Sequence, residues 1–368
     1  MPRVYDDSLT NSSSMTAPVL PSGYRHTRDD LLADPRVWLV TGAAGFIGSN
    51  LVEELLGLGQ TVVGLDNFAT GYEANLDEAV GVNAGSAGSF RFIRGDIRDL
   101  EVCRSACAGV DYVLHQAALA SVPRSIADPV ASTQVNVMGF LNILMAARDA
   151  KVKRVVYASS SSVYGDATTI PQVEDKTGRV LSPYAATKAA NELYASVFQR
   201  TYGLETIGLR YFNVFGRRQD PNGAYAAVLP RWVARLLNDE PCEIHGDGET
   251  SRDFCYVANA VQANILAAMA TNAEATGGAY NVACGQETSL NELFRMITQG
   301  LARFHPAAAS AKAIHTPPRQ GDIRRSLADI GKARRLLGYE PTHRASTGLQ
   351  EALGWYAARA TGAEAPVR

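Results

Sequence analysis

Cysteine, net charge and long apolar runs are all scarce in this chain, and each scarcity excludes something. Five Cys are scattered over 368 residues, an odd number that forms no disulfide framework and suits a reducing, cytoplasmic compartment. Cys103 and Cys107 lie one helical turn apart, but no second Cys/His pair at metal spacing accompanies them. No metal site is expected, and both read as small buried residues. Lys and Arg number 35 against 37 Asp and Glu, for a net charge of −2, which gives no electrostatic case for nucleic acid. No apolar run reaches the roughly 18 residues of a membrane-crossing helix, so no membrane span is expected. Residues 1–24 are rich in Ser, Asp and Pro and have no apolar centre, so they read as a disordered extension rather than a secretory signal. Met15 is an alternative start. No internal repeat is visible.

The remainder is that of an ordinary globular protein, 46% hydrophobic and 20% charged. The length suits one large or two interleaved domains. From Arg36 short apolar runs alternate with helical periods, the pattern of βαβ units on a parallel sheet. Strands are predicted at Val37–Thr41, Thr61–Leu65, Phe90–Arg94, Tyr112–His115, Arg154–Ala158 and Glu205–Leu209, with helices near 46–57, 99–107, 127–150 and 184–202. Beyond Arg210 the chain is loop-rich. Short helices are predicted near 226–238, 258–270, 289–302, 329–337 and 346–360, and short strands near 242–245, 254–257 and 279–283.

The first strand runs into Gly42-Ala43-Ala44-Gly45-Phe46-Ile47-Gly48 and then a helix. Glycines at such a turn allow the backbone to approach a pyrophosphate held at the helix N-terminus. The second strand ends in Asp66, where a carboxylate suits the ribose hydroxyls of NAD and repels a 2′-phosphate. No Arg or Lys lies between Asn67 and Glu73, which favours NAD over NADP.

Leu181 to Glu192 reads LSPYAATKAANE. Ser182-Pro183 starts a helix that carries Tyr184 and Lys188 one turn apart on one face. A phenol titrates near 10, and bringing it near 7 costs on the order of 4 kcal/mol. One ammonium about 4 Å away, at an effective dielectric near 20, supplies roughly that. The pair is a candidate acid/base unit, although Tyr-x-x-x-Lys on its own also arises by chance on amphipathic helices. Ser160 ends a predicted strand, where open α/β sheets place their ligands.

Together these motifs resemble the extended short-chain dehydrogenase/reductases, in the branch of nucleotide-sugar epimerases and dehydratases. The likeness rests on TGAAGFIG at 41–48, Asp66-Asn67, Gly95-Asp96-Ile97, His115-Gln116-Ala117-Ala118, Tyr157 to Gly165, and Tyr184 to Lys188. It covers about residues 36–360. The runs Leu209 to Pro221 and Gly246 to Phe254 are most similar to bacterial UDP-N-acetylglucosamine 4-epimerases of surface-polysaccharide pathways. The resemblance implies a Rossmann-like, doubly wound α/β domain at 25–210, with about 253–278 returning to it. Residues 211–252 and 279–368 would form a smaller, interleaved nucleotide-sugar domain. It also implies a homodimer through helices near 133–149 and 184–202.

Site residues carry over by position. Asp96 and Ile97 would sit by the adenine, and Tyr184 and Lys188 by the nicotinamide ribose. Thr70, Gly71, Gln116, Ala117, Ala118 and Tyr211 complete the cofactor set. Ser160 would hydrogen-bond the sugar O4 beside Tyr184. Ser121, Ser161, Ser162 and Asn213 would line the sugar and inner phosphate, Arg252 and Arg319 would hold the diphosphate, and Asp322 the uridine ribose. Ser326 would face the C2 substituent, a small residue being associated with N-acetylated sugars. As isolated residues, Arg252, Arg319 and Asp322 read as solvated charge and Ser326 as a helix cap. The pairs Arg217-Arg218, Arg324-Arg325 and Arg334-Arg335 also read as solvated charge.

Dehydratases of this branch place acids just after the first hydroxyl. Here Ser161 and Ser162 stand there, with no carboxylate until Asp166, which argues for epimerisation. Ala120, where close relatives tend to have Gly, and His245, where a neutral polar residue is common, bear on the choice of sugar. The readings that remain are a 4-epimerase of UDP-GlcNAc and UDP-GalNAc, one of the corresponding uronic acids or of UDP-glucose and UDP-galactose, and a non-catalytic dinucleotide sensor. Intact Ser160, Tyr184 and Lys188 count against the last.

Overall fold

A computed structural model of the protein describes residues 20–221, 227–318 and 323–361. The first half runs α1 (Ser22–Ala33), β1 (Val37–Thr41), α2 (Phe46–Gly57), β2 (Thr61–Asp66), α3 (Glu73–Gly81), β3 (Ser89–Arg94), α4 (Leu100–Cys107), β4 (Tyr112–His115), α5 (Val122–Ala127), α6 (Pro129–Thr133), α7 (Phe140–Asp149), β5 (Arg154–Ser160), α8 (Pro183–Tyr202) and β6 (Glu205–Tyr211). The second half runs β7 (Val214–Phe215), α9 (Val228–Leu237), β8 (Glu243–His245), β9 (Ser251–Arg252), β10 (Cys255–Tyr256), α10 (Val257–Met269), β11 (Ala279–Val282), β12 (Thr288–Ser289), α11 (Leu290–Leu301), β13 (Ile314–Thr316), β14 (Arg325–Ser326), α12 (Gly331–Leu337) and α13 (Ala345–Thr361).

Seven parallel strands form the main sheet in the order β11-β6-β5-β4-β1-β2-β3. The strands are apolar on both faces because helices cover both. Trp38, Val40, Val62 and Leu114 pack against α2 and α10. Their neighbours Leu39, Val63 and Val113 point the other way, onto α4 and α7. The chain order reverses between β1 and β4, which opens a crevice at their C-terminal ends. A third core, built around Trp232, Ile244, Phe254, Leu293 and Leu353, gathers α9, α11 and α13.

Several expectations need correction. Helix α1 begins at Ser22, inside the extension read as disordered; Tyr24 and Leu31 are buried, and the Tyr24 hydroxyl donates to Glu54 at 3.0 Å. Strand β11 lies in the segment assigned to the sugar domain but forms the edge of the main sheet beside β6. The segment expected to return to the first domain contributes α10, which packs on the main sheet. The helical stretch Pro129–Asp149, interrupted by a π-helical turn at Gln134–Gly139, is long and apolar enough to cross a membrane by length and composition. Its apolar side chains Phe140, Ile143 and Leu144 instead pack on the sheet.

Arg217 and Arg218 are not solvated. Arg218 has no exposed side-chain surface and pairs with Glu53 and Glu78, while Arg217 reaches Glu53 at 2.7 Å. This cluster joins α2 and α3 to the loop after β7. Trp355 of α13 adds an indole N–H to Glu78 at 3.0 Å. The two other arginine pairs stay near solvent, Arg324 with Asp247 and Arg325 with Glu287 at 2.7 Å, and Arg334 and Arg335 at the end of α12.

Candidate active site

The crevice is floored by the glycine turn between β1 and α2. Gly42 has φ +66°, and a Cβ there would lie 2.8 Å from the Ala117 nitrogen. A Cβ at Gly48 would meet the Gly42 carbonyl oxygen at 2.0 Å. Neither position admits a side chain, so backbone amides and the N-terminus of α2 face a groove of about 310 Å³. Every residue expected to hold the cofactor lines this groove except Gly71. Gly71 sits behind the turn, where a Cβ would fall 2.7 Å from the Ala44 carbonyl carbon.

Asp66 joins the turn to the loop after β2. One carboxylate oxygen accepts from Ala44 N at 2.9 Å and the other from Phe68 N at 2.7 Å. Burial pushes its carboxyl above the usual range, against the pull of these amides. Asp96 is set the other way: Arg98 holds its carboxyl down to about 2, with help from Asn67, which donates at 2.8 Å. Arg94, outside the Asn67–Glu73 window, is the Cα partner of Asp66 on β3. Its guanidinium lies 5.3 Å from the centre of the Phe68 ring.

The floor on the far side of the crevice is a closed ring of side chains. The Tyr211 hydroxyl donates to the Gln116 carbonyl at 3.1 Å, the Gln116 amide donates to Asn264 at 3.0 Å, and the Asn264 amide donates to the Tyr211 oxygen at 2.7 Å. Asn264, on α10, was not legible as a site residue, since its partners come from the turn after β4 and from β6.

The acid/base group stands over this floor. Ser182 caps α8 by accepting from Ala185 N at 3.1 Å, and Tyr184 N donates to Ser125 Oγ at 3.0 Å. Ser160 ends β5 and accepts from Ser162 N at 3.1 Å. That leaves the Ser160 hydroxyl proton for the Tyr184 oxygen, to which it is hydrogen-bonded. Lys188 is buried, donates to the Ala158 carbonyl at 2.7 Å, and lies 5.9 Å from the Tyr184 ring centre. Burial lowers its amine to about 8, opposed by Glu192. Burial raises Tyr184 above its ordinary value, and what opposes it is the Ser160 hydrogen bond.

The residues expected to bind substrate divide between two places. Ser161 and Ser162 open a 3₁₀ turn beside Ser160, and the Ser162 hydroxyl is buried without a hydrogen-bond partner among the described residues. Ser121 caps α5 by accepting from Arg124 N. Asn213 and Arg252 line a second hollow of about 150 Å³ with Trp232, His245 and Phe254. Ser326 is buried beside it, paired with Arg252 across β14 and β9. Arg319 and Asp322 lie outside the described residues. Sequence reasoning passed over Asp253, which is buried between these two strands. Its carboxylate accepts from Cys284 N at 2.8 Å and Gly285 N at 2.9 Å, and burial raises it to about 6.

A groove floored by Cβ-less backbone, closed by Asp66 and carrying Tyr184 and Lys188, fits a nicotinamide dinucleotide, with Lys188 and Tyr184 at the reacting end. The known proteins agree. Residues 38–283 match the model of the NAD dependent epimerase/dehydratase family. A UDP-glucose 4-epimerase of Mycolicibacterium smegmatis is 38% identical over 86% of this chain and 97% of its own length. Among solved structures, the UDP-N-acetylglucosamine 4-epimerase of Methanobrevibacter ruminantium, in complex with UDP-N-acetylmuramic acid, is 37% identical with a TM-score of 0.80, over 88% of this chain and 99% of its own. The Thermus thermophilus UDP-glucose 4-epimerase in complex with NAD is 34% identical with a TM-score of 0.75, over 87% and 98%. With the family model covering the crevice, Tyr184 and Lys188, and with relatives aligned over nearly their whole length, the chain belongs to the NAD dependent epimerase/dehydratase family.

Proposed function

We propose that this protein is an NAD-dependent UDP-sugar 4-epimerase whose substrates are UDP-N-acetylglucosamine and UDP-N-acetylgalactosamine. The 4-epimerase activity is supported by relatives of that name aligned over nearly their full length. The sugar assignment is carried by Ser326, a small side chain set beside Arg252. A structural neighbour named a UDP-N-acetylglucosamine 4-epimerase points the same way.

Bound in the groove, NAD would supply a reversible acceptor for the hydrogen at C4 of the sugar and a positive ring close to Tyr184. Tyr184 takes the proton from the O4 hydroxyl and later returns it. Ser160 donates to the phenolic oxygen and favours its ionised form. Lys188 holds its ammonium behind the pair, fixed by the Ala158 carbonyl. Arg252 anchors the diphosphate by its planar donors, so the sugar can turn while the nucleotide stays. Asp166, the first carboxylate after the serines, accepts from Arg179 N at 2.7 Å. Among the described residues the carboxylates that line the groove are Asp66 and Asp96, which belong to the cofactor set, and this suits removing and restoring hydrogen rather than expelling water.

The protein is further proposed to be a homodimer. Leu193, Tyr194 and Val197 on α8, with Val130 and Met138 beside them, are large apolar side chains left exposed. Incubating the purified protein with UDP-GlcNAc and no added NAD tests the main reading. UDP-GalNAc should form, with kcat/KM at least about 10-fold above that for UDP-glucose. Turnover of UDP-glucose alone would overturn the sugar assignment.

A further inference from the structure

We propose that Glu192 is a positioning residue for the reaction: gripped by Ser159 and Arg210, it seats the working face of α8 on the sheet with its carboxylate one helical turn from Lys188. The inference rests on the reading of Tyr184 and Lys188 as the acid/base pair. Tyr184, Lys188 and Glu192 follow one another at intervals of four residues, so one stripe of α8 carries all three. The Glu192 carboxylate is tied to two strands at once. Ser159 Oγ on β5 donates to it at 2.5 Å. Arg210 on β6, the Cα partner of Ser159, makes a two-pronged contact, Nε at 2.9 Å and a terminal nitrogen at 2.8 Å. Arg210 is fixed in turn by the Glu174 carbonyl at 2.9 Å and by the Tyr164 ring, 5.0 Å away. A carboxylate restrained in this way is not a solvated helix charge.

The groups around Lys188 leave this role to Glu192. On α8 they are Tyr184 and Glu192; β5 contributes the Ala158 carbonyl and Tyr157, and the turn after it Tyr164. From β4 comes His115, whose imidazole is pushed down to about 3 by burial and by Lys188 itself. Arg210 comes from β6, and Arg124 from α5. The π-helical turn and α6 bring no titratable side chain, and α7 only Arg148 and Asp149 at its far end. Tyr157, Tyr164 and the imidazole are neutral, and the arginines oppose a further positive charge. Glu192 is the anion of the set, and it is what holds Lys188 up against burial.

The test is the pH dependence of kcat and KM for UDP-GlcNAc in wild type, Glu192→Gln, Glu192→Asp and Tyr184→Phe, from about pH 6 to 10. Gln keeps one acceptor oxygen for Ser159 and Arg210 Nε, gives up the second prong to the Arg210 terminal nitrogen, and removes the charge. In Glu192→Gln the alkaline limb should move to lower pH by at least about half a pH unit, so kcat at pH 8 falls roughly 2-fold or more with KM unchanged. Glu192→Asp, which keeps the charge, should move the limb less than Gln; a purely structural role would make the shorter Asp the worse of the two. If Glu192→Gln does not fold, Arg210→Gln, which keeps the anion and removes the opposing cation, should move the limb to higher pH instead, and an unmoved limb there counts equally against the role. An unmoved limb in the folded variant, with Tyr184→Phe inactive, overturns the role of Glu192 and leaves the acid/base reading intact. An active Tyr184→Phe overturns the acid/base reading instead.

Discussion

Ser326 and Arg252 are Cα partners in the parallel pair of β14 and β9. The cation proposed to hold the diphosphate and the residue proposed to face the sugar thus sit one strand spacing apart, about 4.8 Å. Their relation is fixed from both sides. Asp253 N donates to the Ser326 carbonyl at 2.9 Å, and the Arg252 guanidinium donates to the carbonyls of Ser251 and Ile323 at 2.9 and 2.6 Å.

The sugar assignment makes the first prediction. Ser326→Tyr adds a ring to a buried position, and overpacking costs about 1–3 kcal/mol, or roughly 5- to 150-fold in kcat/KM. The loss should fall on UDP-GlcNAc and UDP-GalNAc and spare UDP-glucose and UDP-galactose. Equal losses on both pairs would return Ser326 to a purely structural part.

Tyr184→Phe should lower kcat at least about 100-fold, the low end for general acid–base catalysis. UDP-sugar affinity, measured by calorimetry, should change little. Retained turnover would make Tyr184 a packing residue.

Asp66 should set the cofactor. The protein is expected to purify with NAD or NADH and to prefer NAD to NADP in a calorimetric titration. Asp66→Ala removes one or two charge-assisted hydrogen bonds, roughly 1.5–3 kcal/mol each. The neighbouring Arg94 supplies the contrary outcome: if it leaves the Phe68 ring for a 2′-phosphate, NADP will bind as tightly as NAD.

The cluster at Glu53 should appear in acid denaturation. Burial favours the protonated form, but Arg217 and Arg218 outweigh it and hold the carboxyl below its ordinary 4.5. The stability this contributes is therefore present above pH 4.5 and is lost as the pH falls through the lower folded value. Glu53→Gln should flatten the dependence of the urea midpoint on pH in that window. Glu53→Ala, which leaves Arg217 and Arg218 buried without their partner, should cost about 3–5 kcal/mol at neutral pH. An unchanged slope in Glu53→Gln would place the acid sensitivity elsewhere.

Leu193→Glu puts a charge on the exposed apolar face of α8 and should convert the dimer to monomer in sedimentation. A monomeric wild type would remove the dimer from the proposal.

The main sheet was legible because its signals are local. A run such as Val37–Thr41 followed by Gly42 announces a strand, a turn and a phosphate-binding helix in one short stretch of chain, and Tyr184 and Lys188 declare their shared face by spacing. The parts that were not legible depend on distant partners. Strands β9 and β14 are two residues each, too short to carry a period, although they align Arg252 with Ser326. Arg217 and Arg218 look like any surface pair until Glu53 and Glu78 arrive from α2 and α3. The burial that raises Tyr184 and the Ser160 hydroxyl that opposes it come from the sheet and not from the Tyr–Lys spacing, so the sequence does not carry them.

Two phenols face the crevice, and the ring of Gln116, Asn264 and Tyr211 makes them chemically unequal. All the hydrogen bonds in that ring run in one direction, so the Tyr211 proton is committed to Gln116 and its oxygen already accepts from Asn264. To release that proton Tyr211 would have to break the circuit, and burial already raises its phenol well above the ordinary value. Tyr184 is under no such commitment: its oxygen meets a single hydroxyl, that of Ser160, whose own acceptor capacity is engaged by Ser162 N. The crevice thus offers one mobile proton and one immobile one, and a sugar hydroxyl that enters it meets no ambiguity about which oxygen exchanges with it.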